Sequence, residues 1–279
     1  MIAPGRAHRP GAARGRIEPA TPEELEHCPF CEGREDRTPP ETLALPARAP
    51  PDSPGWRVRV VPNLYPAFER QEVVIHTPRH ARSVAELSGE ELADVAAVWS
   101  ARAAAAGAGG FGYVQALINE GREAGASLPH SHSQLVWLRE PPPAVAAERN
   151  AVAKLLEPAE LRILDTDGVT AVTHPAGRAP YELLIAPLEP EASAFASGRL
   201  AAALRILADA VRRLHAVEGQ VPWNAWLHTF EDGGHWHIEM LPRLTVFAGL
   251  ELGAGLYVNT LAPEEAAARL RGALEPHRL

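Results

Sequence analysis

Cysteine is nearly absent: 279 residues contain two, both in the tetrapeptide Cys28-Pro29-Phe30-Cys31. A secreted disulfide scaffold carries more of them at wider spacing, so a reduced, cytoplasmic setting is expected. Basic excess is absent too, with 27 Lys and Arg against 35 Asp and Glu, a formal net charge of -8. A protein that binds phosphate backbones needs a basic face to release counterions, which argues against nucleic acid as a partner. No run of about 18 apolar residues is present, and the leading MIAPGRAHRPGAARGR has no apolar signal-peptide core. No membrane crossing is expected. The length allows one large domain or two of about 120 residues each.

What is present begins with punctuation by proline. The run from Thr38 to Trp56, TPPETLALPARAPPDSPGW, reads as an extended surface loop because its prolines lack backbone donors. Trp56 to Val61 alternates like a strand, and Glu72 to His76 follows as a second one that stops at Thr77-Pro78. Ser88-Gly89-Glu90-Glu91 is a capping box, and Leu92, Val95, Val98 and Trp99 then recur at helical spacing toward Ala106. Strands are predicted over Tyr113 to Ile118 and Ser133 to Leu138, joined by the glycine-rich NEGREAGAS.

The second half repeats this order: a strand from Val169 to Thr173, another from Glu182 to Ile185 ending at Ala186-Pro187, and a helix from about Gly198 to Ala216. Asn224 to His228 and a strand around His235 to Glu239 complete it. An internal duplication explains the repetition economically, since two half-sheets bury their edges by joining. The predicted fold is α+β, a mostly antiparallel sheet flanked by helices, with one unit over residues 1–150 and a second over 151–279.

Each half ends in a His-x-His-x-(Gln/Glu) strand. In the first, His130, His132 and Gln134 share one strand face while Ser131 and Ser133 point the other way. A histidine serves as metal ligand, acid/base or phosphorus nucleophile, and its neighbours decide which. The CxxC turn presents two thiolates, and a tetrahedral zinc site needs two further ligands, which His80 and His130 supply. A redox pair or two buried thiols fit the tetrapeptide as well. If zinc is bound, its closed four-ligand sphere makes it structural and leaves His132 free for chemistry.

The ordered segments APGRAHRP, CPFC, VVPNLYPAF, HTPRH, INEGREAGASLPHSHSQ, APYELLIAP, PWNAWLH and HWHIEMLPRL span nearly the whole chain. In them the sequence resembles the galactose-1-phosphate uridylyltransferase family, the nucleotidyltransferase branch of the histidine-triad superfamily. The resemblance implies a histidine-triad-like unit in each half. It also implies that His132 attacks the α-phosphorus of a nucleotide-sugar, releases sugar 1-phosphate and forms a nucleotidyl-histidine that a second sugar 1-phosphate resolves. Gln134 stands where the hydrolase branch has a third histidine, and an amide donates to a phosphoryl oxygen without activating water.

Arg6, Arg9, Asn63, Asn119 and Ser127 fall on the implied nucleotide pocket. Cys28, Cys31, His80 and His130 fall on the family's zinc ligands, in agreement with the spacing. Glu148, His228, His235 and His237 fall on a second metal site for iron or zinc, in the C-terminal half. A homodimer is implied as well. Where the family holds sugar hydroxyls with a lysine-phenylalanine pair and a glutamate, this chain has Val246-Phe247-Ala248-Gly249 and then Glu251. Phe247 and Glu251 are the sugar-binding candidates, and FAGLELGAGLYVN is similar to the ADP-sugar phosphorylases among the family's relatives. The leading expectation is therefore transfer between UDP-hexose and galactose 1-phosphate, as in galactose metabolism. The alternatives are an ADP-sugar phosphorylase using inorganic phosphate and a non-catalytic, zinc-stabilised nucleotide-binding module.

Overall fold

Ten strands join edge to edge into one sheet in the computed structural model of the chain, which describes residues 1–8, 16–231 and 233–274. The N-terminal strands are β1 (Leu43–Leu45), β2 (Val58–Pro62), β3 (Arg70–Ile75), β4 (Tyr113–Glu120) and β5 (His132–Leu138). The C-terminal strands are β6 (Arg162–Thr166), β7 (Val169–Thr173), β8 (Leu183–Pro187), β9 (Trp223–His228) and β10 (His237–Pro242). The helices are α1 (Pro22–His27), α2 (Gly89–Ala108), α3 (Pro143–Glu148), α4 (Val152–Leu155), α5 (Leu200–Glu218), α6 (Gly249–Ala254) and α7 (Pro263–Gly272).

The sheet runs β1-β2-β3-β5-β4-β9-β10-β8-β7-β6, and its neighbours pair antiparallel. From the central β4–β9 seam the order outward is β4, β5, β3, β2, β1 on one side and β9, β10, β8, β7, β6 on the other. The seam pairs Leu117 with Trp226 and Asn119 with Asn224. No edge is left in the middle of the molecule, because each half covers the other's.

Both long helices lie on one face and against each other. Helix α2 starts as its sequence predicts: Ser88 Oγ accepts from the Glu91 amide at 3.2 Å, and Glu91 accepts from the Ser88 amide at 2.8 Å. Its Leu92, Val95 and Trp99 pack with Leu204, Leu207 and Val211 of α5 over Val114, Ala116 and Ile118 of β4 and Ile185 of β8. Each such aliphatic side chain removed from water contributes about 1.5 to 3 kcal/mol. Alternation along β4 then sends Gln115, Leu117 and Asn119 to the opposite face.

That second face carries the polar chemistry. A smaller core of Cys28, Phe30, Trp56, Val61, Val73 and Ile75 roofs its N-terminal side, and Val152, Leu156, Leu161, Val172, Leu184 and Ala186 cover the C-terminal side. The proline-rich run departs from its reading as a loop in one respect: Leu43–Leu45 pairs with β2. A three-residue strand at the sheet edge tolerates flanking prolines, because its outer groups need no ladder partner. Among the described residues no helix is long and apolar enough to cross a membrane.

Candidate active site and metal centres

Strand β5 begins at His132, and the backbone just before it is tied down on both sides. The Ser131 amide donates to the Ala81 carbonyl at 2.7 Å, and the His76 amide donates to the Ser131 carbonyl at 3.3 Å. The His132 ring is buried against the edge of Phe30, centroids 5.5 Å apart. Its Nδ1 donates to the His130 carbonyl at 2.7 Å. The carbonyl only accepts, so the proton sits on Nδ1 and the lone pair on Nε2. Burial lowers the His132 pKa below its ordinary value against the pull of that hydrogen bond, which keeps the ring neutral and nucleophilic.

Gln134, one strand period further, has its amide orientation set by a neighbour. Gln71 Nε2 donates to Gln134 Oε1 at 2.7 Å, while Gln71 Oε1 accepts from the Ala67 amide at 2.9 Å. With its oxygen engaged, Gln134 presents its NH2 as a donor. On β4, Asn119 Oδ1 accepts from Asn224 Nδ2 at 2.7 Å, and the same nitrogen reaches the Ala124 carbonyl at 2.7 Å. The seam thus orients Asn119 toward a cleft lined by Asn119, Gly121, Ala126, Pro129, His130 and His132. Ser127 is exposed on an adjoining cavity of about 700 Å³.

Cys28, Cys31, His80 and His130 converge, their ligand atoms within 4.8 Å of one another. Cys28 Sγ lies 3.4 Å from His130 Nδ1, and Cys31 Sγ lies 3.3 Å from His80 Nδ1 and 3.7 Å from His130 Nδ1. In a tetrahedral zinc site neighbouring sulfur and nitrogen ligands sit roughly 3.5 Å apart. The far nitrogens match as well: His80 Nε2 meets Glu24 Oε1 at 2.8 Å and His130 Nε2 donates to the Thr77 carbonyl at 2.9 Å. Such outer partners fix the tautomer that leaves Nδ1 free for a metal. Burial and the adjacent Cys28 sulfur push the Cys31 thiol up to about 12. The donor set fits zinc.

A second cluster gathers Glu148 of α3, His228 at the end of β9, and His237 and Glu239 of β10. Glu148 Oε2 lies 2.6 Å from His228 Nδ1 and 3.2 Å from His237 Nε2, and Glu239 Oε1 lies 3.8 Å from both nitrogens. Burial works against charge here, yet hydrogen bonds to Glu148 and Glu239 push His237 up to about 9. Burial also opposes ionisation of Glu148, but the two histidines hold its carboxyl well below the usual range. Two imidazoles and two carboxylates suit iron or zinc.

The cluster differs from the expected set at one position. His235 is outside this cluster, with Nε2 on the Pro187 carbonyl at 2.8 Å. Glu239 stands in the cluster instead: positions 235, 237 and 239 alternate on one face, and Glu148 of α3 meets the cluster at His228 and His237.

The model of the galactose-1-phosphate uridyl transferase N-terminal domain matches residues 66–142, the stretch that carries β3 to β5 with His80, His130 and His132. A curated ADP-glucose phosphorylase of Arabidopsis thaliana is 26% identical, covering 97% of this chain and 89% of that protein. The Thermotoga maritima galactose-1-phosphate uridylyltransferase is 25% identical, covering 72% of this chain and 73% of its own. The solved Arabidopsis thaliana ADP-glucose phosphorylase with bound ADP-glucose superposes with a TM-score of 0.80 at 25% identity, over 97% of this chain and 94% of that one. The chain is thus similar, over most of its length, to enzymes of the galactose-1-phosphate uridylyltransferase family.

Within that family's pattern the remaining candidates separate. Asn63 accepts from the Tyr65 amide at 2.9 Å, closing its own turn beside the exposed Tyr65. Arg6 is exposed on a short turn whose segment pairs with Asn259 through the Ile2 bridge, and Arg9 lies outside the described residues. Glu251 is buried and accepts from the Ala248 amide at 3.0 Å, which caps α6. Phe247 packs edge-on against Tyr257, centroids 5.1 Å apart.

Three contributors escape a reading of local motifs. Gln71 orients Gln134 from 63 residues away. Arg178, above the face of Trp226, forms ion pairs with Glu182 and with Glu239 of the second cluster. Only the His-x-His-x-Glu repetition signals Glu239 in the sequence.

Proposed function

We propose that this chain is a nucleotidyltransferase that moves a nucleoside monophosphate from a nucleoside diphosphate sugar to a phosphate acceptor through nucleotidyl-His132. The observation that carries this reading is the Nδ1 bond from His132 to the His130 carbonyl, which leaves Nε2 unprotonated. In the first step Nε2 forms a bond to the α-phosphorus while the bond from that phosphorus to the bridging oxygen breaks, and sugar 1-phosphate leaves with the electron pair. The Gln134 amide donates to a non-bridging phosphoryl oxygen, where charge builds in the transition state. An acceptor phosphate oxygen then displaces Nε2, and two in-line steps return the configuration at phosphorus.

Cys28, Cys31, His80 and His130 would hold zinc, which when bound supplies a cross-link between the CxxC turn and β5. Glu148, His228, His237 and Glu239 would hold the second ion. The mirrored strand orders on either side of the seam support a duplicated unit with halves 1–150 and 151–279. Exposed Leu64, Tyr65 and Phe68 support a homodimer as the working form, checked by gel filtration. A cytoplasmic enzyme is part of the same reading.

UDP-hexose and galactose 1-phosphate are the leading substrate pair. A second reading, phosphorolysis of an ADP-sugar by inorganic phosphate, is favoured by the ADP-glucose phosphorylase that aligns over 97% of the chain. Incubation with radiolabelled UDP-, ADP-, GDP- and dTDP-sugars tests both. Acid-labile label on the protein is expected with one base and none on His132→Ala. Absence of label with every base, or label that survives His132→Ala, overturns the covalent mechanism. Release of the labelled nucleotide by galactose 1-phosphate or by inorganic phosphate then selects the acceptor.

A further inference from the structure

The core side of β5 carries polarity that the chemistry on its other face does not explain. Ser131 and Ser133 flank His132 and point away from it, into the buried interior, at 5% and 0% exposure. A buried hydroxyl without a partner costs about 1 to 3 kcal/mol, so such positions ordinarily hold apolar side chains. Here one ring serves both hydroxyls. His76, 1% exposed and just beyond the end of β3, places Nδ1 3.0 Å from Ser131 Oγ and Nε2 2.9 Å from Ser133 Oγ. Trp99 of α2 reaches the same Ser133 Oγ through Nε1 at 2.8 Å.

The indole can only donate, so Ser133 Oγ accepts at this end of the chain of hydrogen bonds. Ser133 accepts from Trp99 and is free to donate its own O–H to His76 Nε2, the arrangement in which His76 Nδ1–H donates to Ser131. This requires a neutral ring, and burial together with the adjacent His132 and His130 holds the His76 pKa well below its ordinary value. The backbone repeats the link, since the His76 amide donates to the Ser131 carbonyl.

We infer that His76 is a positioning residue for the nucleophile: it clamps Ser131 and Ser133 from behind β5 and so fixes the His130 carbonyl that orients the His132 ring. The path is short. Ser131 follows the peptide carbonyl of His130, which accepts from His132 Nδ1 at 2.7 Å, and Ser133 fixes the peptide on the other side of His132. A ring free to swing at the reacting atom loses in-line alignment without losing substrate contacts. The inference rests on His132 as nucleophile.

The test compares wild type with His76→Phe and Ser131→Ala in three measurements: single-turnover labelling by the nucleotide-sugar that labels wild type, zinc content with melting temperature, and ring nitrogen–proton NMR without nucleotide. In folded, zinc-loaded His76→Phe, the labelling rate at saturation is expected to fall between about 10- and 100-fold with KM nearly unchanged. Ser131→Ala is expected to fall in the same direction, and the double variant by less than the product of the two. A folded His76→Phe that labels at the wild-type rate overturns the clamp. Should His76→Phe not fold, Ser131→Ala decides by the same criterion. If wild type takes no label, the nucleophile reading fails, and NMR still judges the clamp. A single His132 Nδ1–H tautomer that becomes a mixture in the variants supports it, and an unchanged one overturns it.

Discussion

His130 and His235 occupy matching places in the two halves: His130 Nε2 bonds the Thr77 carbonyl at 2.9 Å, and His235 Nε2 bonds the Pro187 carbonyl at 2.8 Å. The residues two positions on repeat the match. His132 Nδ1 donates to the His130 carbonyl and His237 Nδ1 to that of His235, at 2.7 and 3.1 Å. What differs is the remaining nitrogen: His130 Nδ1 faces two cysteine sulfurs, whereas His235 Nδ1 is buried with no partner. The C-terminal half has no CxxC, and its polar cluster forms two residues later, on His237 and Glu239.

Metal content distinguishes these roles. His235→Asn is expected to retain the ion of the second cluster, while Glu239→Ala and Glu148→Ala lose it, as read by elemental analysis of purified protein. Loss in His235→Asn with retention in Glu239→Ala would restore His235 as the ligand.

A zinc ion held by Cys28, Cys31, His80 and His130 would depend on a carboxylate that does not touch it. Glu24 holds His80 Nε2 at 2.8 Å and also meets Arg82 Nε at 2.9 Å. Glu24→Gln is expected to weaken zinc affinity between about 10- and 100-fold, the usual cost of removing an orienting partner. Competition with a chromophoric chelator measures it. Removal of the ion from wild type is expected to lower Tm, since the folded site binds the ion and the unfolded chain does not.

Arg178 neutralises two carboxylates that are otherwise nearly dry, Glu182 at 2% and Glu239 at 4% exposure. Burial opposes the charge on Glu239, and His237 with Arg178 still holds its carboxyl below the usual range. Stability from a lowered carboxylate is present above the ordinary carboxylate range and is lost as pH falls through the folded value. Arg178→Leu in metal-free protein is therefore expected to cost about 3 kcal/mol near pH 8 and much less near pH 4, by urea denaturation. Arg178→Leu with Glu239→Leu is expected to recover part of the loss.

Legibility followed distance along the chain. The CxxC pair, the Ser88–Glu91 box and the His132–Gln134 face announce themselves within short segments, and the two halves betray their shared order by repetition. Strand β1 was hidden, because edge position rather than composition permits Leu43–Leu45 to pair amid prolines. The choice among His235, His237 and Glu239 depends on α3 delivering Glu148 from 80 residues before His228. Gln71, Arg178 and His76 are ordinary strand or loop residues until folding brings their partners close. The bond from the Ala248 amide to Glu251 is likewise invisible until α6 forms.

Glu120 offers the clearest pH dependence of the fold. It ends β4 on the side facing the helices, opposite Trp223 of β9 at the seam, at 5% exposure. Among the described residues its Oε1 has no hydrogen-bond partner and lies 3.9 Å from His215 Nε2 of α5. Burial pushes its pKa up to about 8 from an ordinary 4.5, against weaker pulls from Ser83 and Trp223. Between those values the folded protein keeps a proton that the unfolded chain releases, so stability is fully present below 4.5 and declines as pH rises through about 8. The decline is on the order of 5 kcal/mol. Glu120→Gln keeps the shape and a neutral amide, and is expected to flatten this slope and to be the more stable protein at pH 9. Urea midpoints from pH 5 to 9 decide it: an unchanged slope in Glu120→Gln would assign the titration to another group.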